Sequence, residues 1–329
     1  MTASPTDIDV VIAWVDGNDP VHRAKRARYA GRPEIARDDV GGDTRFVSTG
    51  EIYYCVASIV RFAPFVRRIF IVTDGQDPHA DAFVARHFPD CRIPIEVVDH
   101  TVLFAGYEAC LPTFNSLSIE TMLWRIPGLS EHFVYFNDDV FVAAPLHPED
   151  WFDPRGRAVC YGTPFSSLLA RLLRTVKPRR NGQCPFGHKD AMLNAADLLG
   201  RPFFFHFHHT PLAQRRSVLA DYFTTHPEAL VANMRPRFRE PHQFNPQELC
   251  YLLGVRADKC VLRSPKGRTL FLKPAADRTG YMERKLIQAD RMDHLLFGCI
   301  NSLEQAPEAD RQRFVDWMAR RIGIDFSMN

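Results

Sequence analysis

The chain has 329 residues, 46% hydrophobic and 24% charged, which is the composition of a globular protein with room for a sizeable core. Lys and Arg total 41 against 39 Asp and Glu, and a net charge of +2 gives no support to nucleic acid as the main partner. No apolar run reaches the roughly 20 residues of a membrane-spanning helix, and residues 1–9 lack the basic-then-apolar pattern of a secretory signal.

Residues 9–15 are a short apolar run rich in β-formers and read as a first strand. It ends in Asp16, Gly17, Asn18, Asp19 and Pro20, a strong turn signal. A polar, basic helix is expected through residue 29, then a mobile loop over the Gly-, Asp- and Arg-rich stretch 31–44. The apolar spacing of 49–61 suits a helix capped by Thr49. Residues 68–73 form a second strand closed by Asp74 and Gly75, and 93–98 a third. Residues 116–125 read as a helix and 133–137 as a fourth strand. Strands alternating with helices over the first ~145 residues predict an α/β fold with a doubly wound, mostly parallel sheet.

The stretch 133–141 places Asn137, Asp138 and Asp139 between apolar residues. Two acids at the end of a buried strand are costly unless compensated. A divalent cation is the usual compensation, so Mg2+ or Mn2+ held by Asp138 and Asp139 is expected at the strand's carboxyl end. A polar turn after a core strand is the plain alternative. Three strands end in acid: Asp16 with Asp19, Asp74, and Asp138 with Asp139. One such turn would mean only that Asp and Gly favour turns. Three on one edge of a parallel sheet favour a nucleotide and metal site.

The second half is less regular. Arg171, Arg174, Lys177, Arg179 and Arg180 suggest a solvated basic face, with an anionic acceptor or a membrane surface as the other reading. Residues 203–211 read as a strand entering a turn; its His206 and His208 could chelate a metal or be ordinary core histidines. Arg235, Arg237 and Arg239 concentrate guanidinium groups that match phosphate oxygens. The last ~45 residues alternate apolar and charged positions at helical spacing and read as packing helices. The eight cysteines are scattered, with no CxxC pair, and read as free thiols in a reducing cytoplasm.

Four blocks of residues resemble the Stealth proteins. Residues 8–20 are similar to that family's first conserved region. Arg45–Phe46, Gly50–Glu51 and 58–76 are similar to its second. Asn115 within 114–116, then 126–130 and Asn137–Asp138–Asp139, are similar to its third. His209–Thr210–Pro211, Arg215–Arg216 and Arg237–Phe238–Arg239 are similar to its fourth. The blocks run in the family's order over residues 8–245. The resemblance implies a nucleotide-sugar-binding sheet of the GT-A-like kind. It also implies transfer of hexose-1-phosphate from a nucleotide-sugar to a sugar hydroxyl, forming a phosphodiester and releasing a nucleoside monophosphate. The expected setting is bacterial surface polysaccharide synthesis in the cytoplasm, at or near the inner membrane face. A UDP-hexose or UDP-N-acetylhexosamine is the expected donor and a carbohydrate the acceptor.

On that resemblance, Asp138 and Asp139 hold the metal and Asn137 orients one of them. Trp14, Asp16, Gly17, Asp19, Arg45, Asp74 and Gly75 line the donor pocket, and Asn115 hydrogen-bonds a sugar. His209 is the general base, and Arg239, supported by Arg216, neutralises the transferring phosphate. Residues 1–245 would be the catalytic core, with the donor sheet at 8–145 and the acceptor part at 146–245; residues 246–329 would be a helical packing region. Two arginines common in the second region are replaced by Tyr53 and Ala57, and Pro236 stands where the family often has His before Arg-Phe-Arg. An ordinary metal-dependent glycosyltransferase releasing a nucleoside diphosphate is the competing enzyme reading. A non-catalytic nucleotide- or carbohydrate-binding module is the competing reading of another class.

Overall fold

The computed structural model describes residues 7–30, 49–175, 186–207, 209–274, 277–278 and 280–326. In chain order the elements are β1 (Ile8–Ala13), α1 (Pro20–Ala30), α2 (Glu51–Phe62), β2 (Arg68–Thr73), α3 (Ala80–His87), β3 (Ile95–Asp99), α4 (His100–Leu103), α5 (Ser116–Met122), β4 (His132–Asn137) and β5 (Val140–Val142). There follow β6 (Ala158–Ser166), α6 (Ser167–Thr175), α7 (His188–Leu198), β7 (Phe203–Phe207), β8 (Leu212–Arg215), α8 (Arg216–Thr225), α9 (Pro227–Met234) and α10 (Pro246–Arg256). The chain closes with β9 (Cys260–Arg263), β10 (Thr269–Leu272), α11 (Tyr281–Asp290), β11 (Phe297–Ile300) and α12 (Glu308–Ile322).

The main sheet has the order β3-β2-β1-β4-β8, parallel except for β8. β1 is central, pairing Ala13 with Val72 on one side and with Asn137 on the other. It is apolar on both faces because both are covered. Val10 and Ile12 face a core filled by α2 and by Phe314 and Trp317 of α12. Val11 faces a core filled by Met122 of α5, Phe223 of α8 and Leu249 of α10. The sheet is therefore doubly wound, as the alternation of elements predicts. The carboxyl ends of β1, β2 and β4 share one edge, and the strand order reverses between β1 and β4, the position at which open α/β sheets bind ligands.

Two expectations fail. Thr49 does not cap α2: Gly50 does, at φ 92°, where a glycine is favoured, while the Thr49 hydroxyl donates to Glu51. The segment 246–329 is not simply helical. It carries β9, β10 and β11, and β10-β11-β5 form a small sheet beside the main one. β11 is antiparallel to β5, with Cys299 opposite Val140. Gly298 makes this contact possible, since a Cβ there would lie 2.2 Å from Cζ of Phe141. A four-residue strand between turns leaves too little periodic signal to separate it from a helical pattern.

Candidate active site

Asp138 and Asp139 form the turn between β4 and β5, at the reversal point of the sheet. Both residues are half-buried, and Oδ1 of Asp139 is fully enclosed by protein. Burial first, then the neighbouring Asp139 and Glu51, push the Asp138 carboxyl well above the usual carboxylate range. Burial likewise raises Asp139, and the facing His209 opposes the rise. Glu51, at the first turn of α2, is raised by burial and by Asp139, although Thr49 donates to it through both its amide (2.6 Å) and its hydroxyl (2.7 Å). Three carboxyls thus crowd one buried pocket of negative charge.

Asp139 is held from the C-terminal part of the chain. Its Oδ2 accepts from the Cys299 thiol at 3.3 Å and its backbone carbonyl from the Ile300 amide at 2.9 Å. The Asn301 side chain also hydrogen-bonds it. Oδ1 of Asp139 is buried with no hydrogen-bond partner. An orphaned carboxylate oxygen inside a cluster of acids is what a cation site presents before the cation binds. Asp139, His209 and Cys299 offer ligand atoms within 4.8 Å of one another. Burial and Asp139 keep the Cys299 thiol protonated, well above its ordinary range, so in this arrangement it acts as a donor that orients Asp139.

The His209 ring stacks with Phe271 of β10, at 5.5 Å and 27°, and with His188 at the start of α7, at 5.9 Å and 24°. His188 is driven down to about 3 by burial first, with His209 and Arg239 nearby adding to the fall, so it is a neutral imidazole at neutral pH. Arg239 joins the same region through a buried relay. Its Nη2 donates to the Ser116 hydroxyl at 2.6 Å, and Ser116 also hydrogen-bonds Glu120. The Tyr135 hydroxyl bonds both Glu120 (3.2 Å) and Oδ1 of Asn137 (2.8 Å), the residue before the acid pair. Burial raises Glu120 even though the charge of Arg239 opposes it.

The expected donor-pocket residues sort by place. Asp16, Gly17, Asp74 and Gly75 do follow β1 and β2 on the shared edge. Gln76 bridges the turns: its amide nitrogen donates to the Asp16 carbonyl at 3.0 Å, and the Asp16 amide donates back at 2.8 Å. Asp74 pairs with Lys25 at 2.9 Å. Gly75, at φ 70°, donates to Asp99 at 2.6 Å. Asp19 is a helix cap, its carboxylate accepting from the amides of Val21 and His22, which hold it below its usual range. Trp14 packs in the core with its indole nitrogen buried, so it is a wall of the sheet and not a stacking platform. Arg45 and His208 lie outside the described residues.

Two residues are not brought to the site. Asn115 is wholly buried, with its amide engaged: Nδ2 donates to the Pro236 carbonyl (3.0 Å) and to Gln243 (2.8 Å), and Oδ1 caps α5. It staples the 236–243 segment to α5 and has no group left for a sugar. Arg216 begins α8, its amide donating to the Glu131 carbonyl at the amino end of β4. The strand β4 separates it from Asp138 by roughly 20 Å at about 3.3 Å per residue. Arg237 is also occupied, donating to the carbonyls of Ala109 and Leu111 with its guanidinium over Tyr29. Of the three arginines at 235–239, only Arg239 reaches the relay.

Tyr135, His188, Cys299 and Asn301 were not singled out as site residues from the sequence, and Glu51 and Glu120, which stand within family-like blocks, were given no role. Glu51 and Glu120 sit in helices where an acid ordinarily faces solvent, Cys299 lies in the unrecognised strand β11, and Asn301 follows it. Only the run of small and polar residues around Gly298 could have marked that strand's end.

Comparison with known proteins matches two conserved regions of the Stealth proteins, both in the first half of the chain. The models for conserved region 1 and conserved region 2 of the Stealth proteins match residues 6–33 and 45–160. Residues 114–141, read above as a third region, therefore fall within the second. An exopolysaccharide phosphotransferase of Streptomyces coelicolor is 33% identical over 93% of this chain and 49% of its own length. The exopolysaccharide phosphotransferase CpsY of Mycobacterium leprae is 32% identical over 97% of this chain and 56% of its own. The chain thus spans about half the length of the curated relatives it matches. The galactosyltransferase LgtC, solved with donor and acceptor sugar analogues, aligns over 98% of this chain and 97% of its own, with TM-score 0.45 and 12% identity.

Proposed function

This chain belongs to the Stealth family, and from that premise we propose that it transfers hexose-1-phosphate from a nucleotide-sugar to a carbohydrate hydroxyl. The observation that carries the proposal is the convergence of Glu51, Asp138 and Asp139 on one buried pocket, with His209 beside Asp139 and Arg239 tied to the same turn. In the reaction the acceptor oxygen bonds to the phosphorus that carries the sugar. The bond from that phosphorus to the bridging oxygen breaks, and a nucleoside monophosphate leaves. Nothing is oxidised or reduced, and the hydroxyl proton must go to a base.

His209 takes that proton, its ring stacked with Phe271 and His188. Arg239, held by Ser116 with Glu120 behind it, neutralises the transferring phosphate. Asp138 and Asp139 would hold Mg2+ or Mn2+, for which carboxylate oxygens are suitable ligands. The orphaned Oδ1 of Asp139 and the crowding of three acids fit such an ion. When bound, the ion supplies positive charge to the donor's pyrophosphate. Asp16, Gly17, Asp74 and Gly75 form the rim where the donor enters. The described cysteines are free, as suits the cytoplasm, where we assign the reaction.

Product analysis tests the reading. Purified protein with Mn2+, a carbohydrate acceptor and a panel of UDP-hexoses and UDP-N-acetylhexosamines should release nucleoside monophosphate and yield a sugar phosphodiester by mass spectrometry. Release of nucleoside diphosphate would instead mean glycosyl transfer at the anomeric carbon and would overturn the proposal.

A further inference from the structure

Three chain segments bring a nitrogen, a sulfur and an oxygen together at the acid pair. In the small sheet, Phe271 of β10 is the register partner of Cys299 of β11. Cys299 lies opposite Val140 of β5, and the next amide, that of Ile300, donates to the Asp139 carbonyl at 2.9 Å. These backbone bonds hold Cys299 beside the turn, where its Sγ stands 3.3 Å from Oδ2 of Asp139. Phe271 stacks on a face of the His209 ring, which leaves the ring nitrogens at its edge for other partners. One ligand atom from each of Asp139, His209 and Cys299 falls within 4.8 Å of the others.

The donor set selects the ion. Mg2+ and Mn2+ prefer oxygen and gain little from sulfur, whereas thiolate with imidazole suits Zn2+ and cations like it. Ligand atoms about 2.0–2.3 Å from a tetrahedral zinc are about 3.3–3.8 Å apart, so closing the triad needs shifts of only about 1 Å. Three protein ligands leave a fourth position open to water. Oδ1 of Asp139 is enclosed with no hydrogen-bond partner, and the carboxyls of Asp138 and Glu51 add negative charge beside it.

We propose that Asp139, His209 and Cys299 form a site for a thiophilic divalent cation such as Zn2+, different in its ligands from the oxygen site that Asp138 and Asp139 offer to Mg2+ or Mn2+. Binding forms a metal–sulfur bond, breaks the S–H bond and releases its proton to solvent; nothing is oxidised or reduced. The cation also takes a lone pair of His209. In the reaction proposed above His209 needs that lone pair for the acceptor proton, so the bound ion is an inhibitor. Only this consequence rests on the proposed reaction; the site itself does not.

Cobalt tests the site without turnover. The full chain, stripped with chelator and kept under nitrogen, should show a sulfur-to-cobalt charge-transfer band in the near ultraviolet on adding one equivalent of Co2+. Such a band requires a cobalt–sulfur bond. An equal amount of Zn2+ should erase it. C299S should lack the band, and H209A should bind Co2+ at least tenfold more weakly. C91S/C110S, which removes two half-buried cysteines, should keep it. Wild-type protein without the band would overturn the proposal. So would a band that survives C299S, one that C91S/C110S abolishes, one that Zn2+ leaves in place, or an H209A protein that binds Co2+ as the wild type does. If C299S does not fold, the wild-type band and H209A decide the matter. None of these results depends on which product the enzyme releases.

Discussion

Replacing Asp138 with Asn should make the protein more stable without metal and less stable with it. The carboxyl of Asp138 is raised well above its ordinary range by burial, Asp139 and Glu51. A raised carboxyl binds its proton more tightly in the folded state than in the unfolded one. Its contribution to stability is therefore complete below the unfolded value near 4 and is lost as pH rises through the folded value. Each unit of that rise costs about 1.4 kcal/mol of native stability once the group is ionised. For a chain of this length the unfolding entropy is about 0.7 kcal/mol per degree, so each unit corresponds to about 2 °C in Tm. At about pH 7.5 with chelator, D138N should melt above wild type, and the gap should close as pH falls toward about 4. Mn2+ at a hundredfold its Kd should stabilise the wild type by about 2.7 kcal/mol, or about 4 °C, and the variant by much less. Scanning fluorimetry over pH, with and without Mn2+, reads all of this. A D138N protein that melts at or below wild type in chelator at every pH would show that Asp138 is not buried against like charge, and the cation site would lose its physical basis.

His209→Ala should lower kcat by about 10²–10⁴-fold with the fold intact, measured by nucleoside monophosphate release; near-normal turnover would remove His209 from proton transfer. Asn115→Ala should cost about 1–3 kcal/mol, because it strands buried partners at Pro236 and Gln243. That is a fall of about 1.5–4 °C in Tm. A variant with unchanged Tm but altered donor preference would return Asn115 to the sugar.

The parallel sheet and its acidic edge were legible because the signals are local. β2 and β4 are apolar runs closed by acidic turns, and each begins and ends within a residue of where the pattern places it. Acids at the ends of parallel strands must share an edge, so the placement of Asp16, Asp74 and Asp138 along one edge of the sheet followed from the strand pattern. Arg216 and Asn115 failed for the opposite reason. Both stand in blocks that resemble family motifs, but a motif does not reveal which side chain is spent inside the fold. Asn115 is consumed by a staple across 121 residues of sequence to Pro236. Arg216 follows β8, the one antiparallel strand of the main sheet, so the chain there runs away from the acidic edge and not toward it.

The sequence by itself determined where carboxylates leave buried strands, because strand period and turn chemistry act over a few residues. Only the tertiary structure decided what surrounds them. Cys299 reaches Asp139 across 160 residues, and Phe271 and His188 both stack on His209. Burial, which shifts the titration of Glu51, Asp138, Asp139, His188 and Cys299, is a property of the packed chain and is written in no single segment of it.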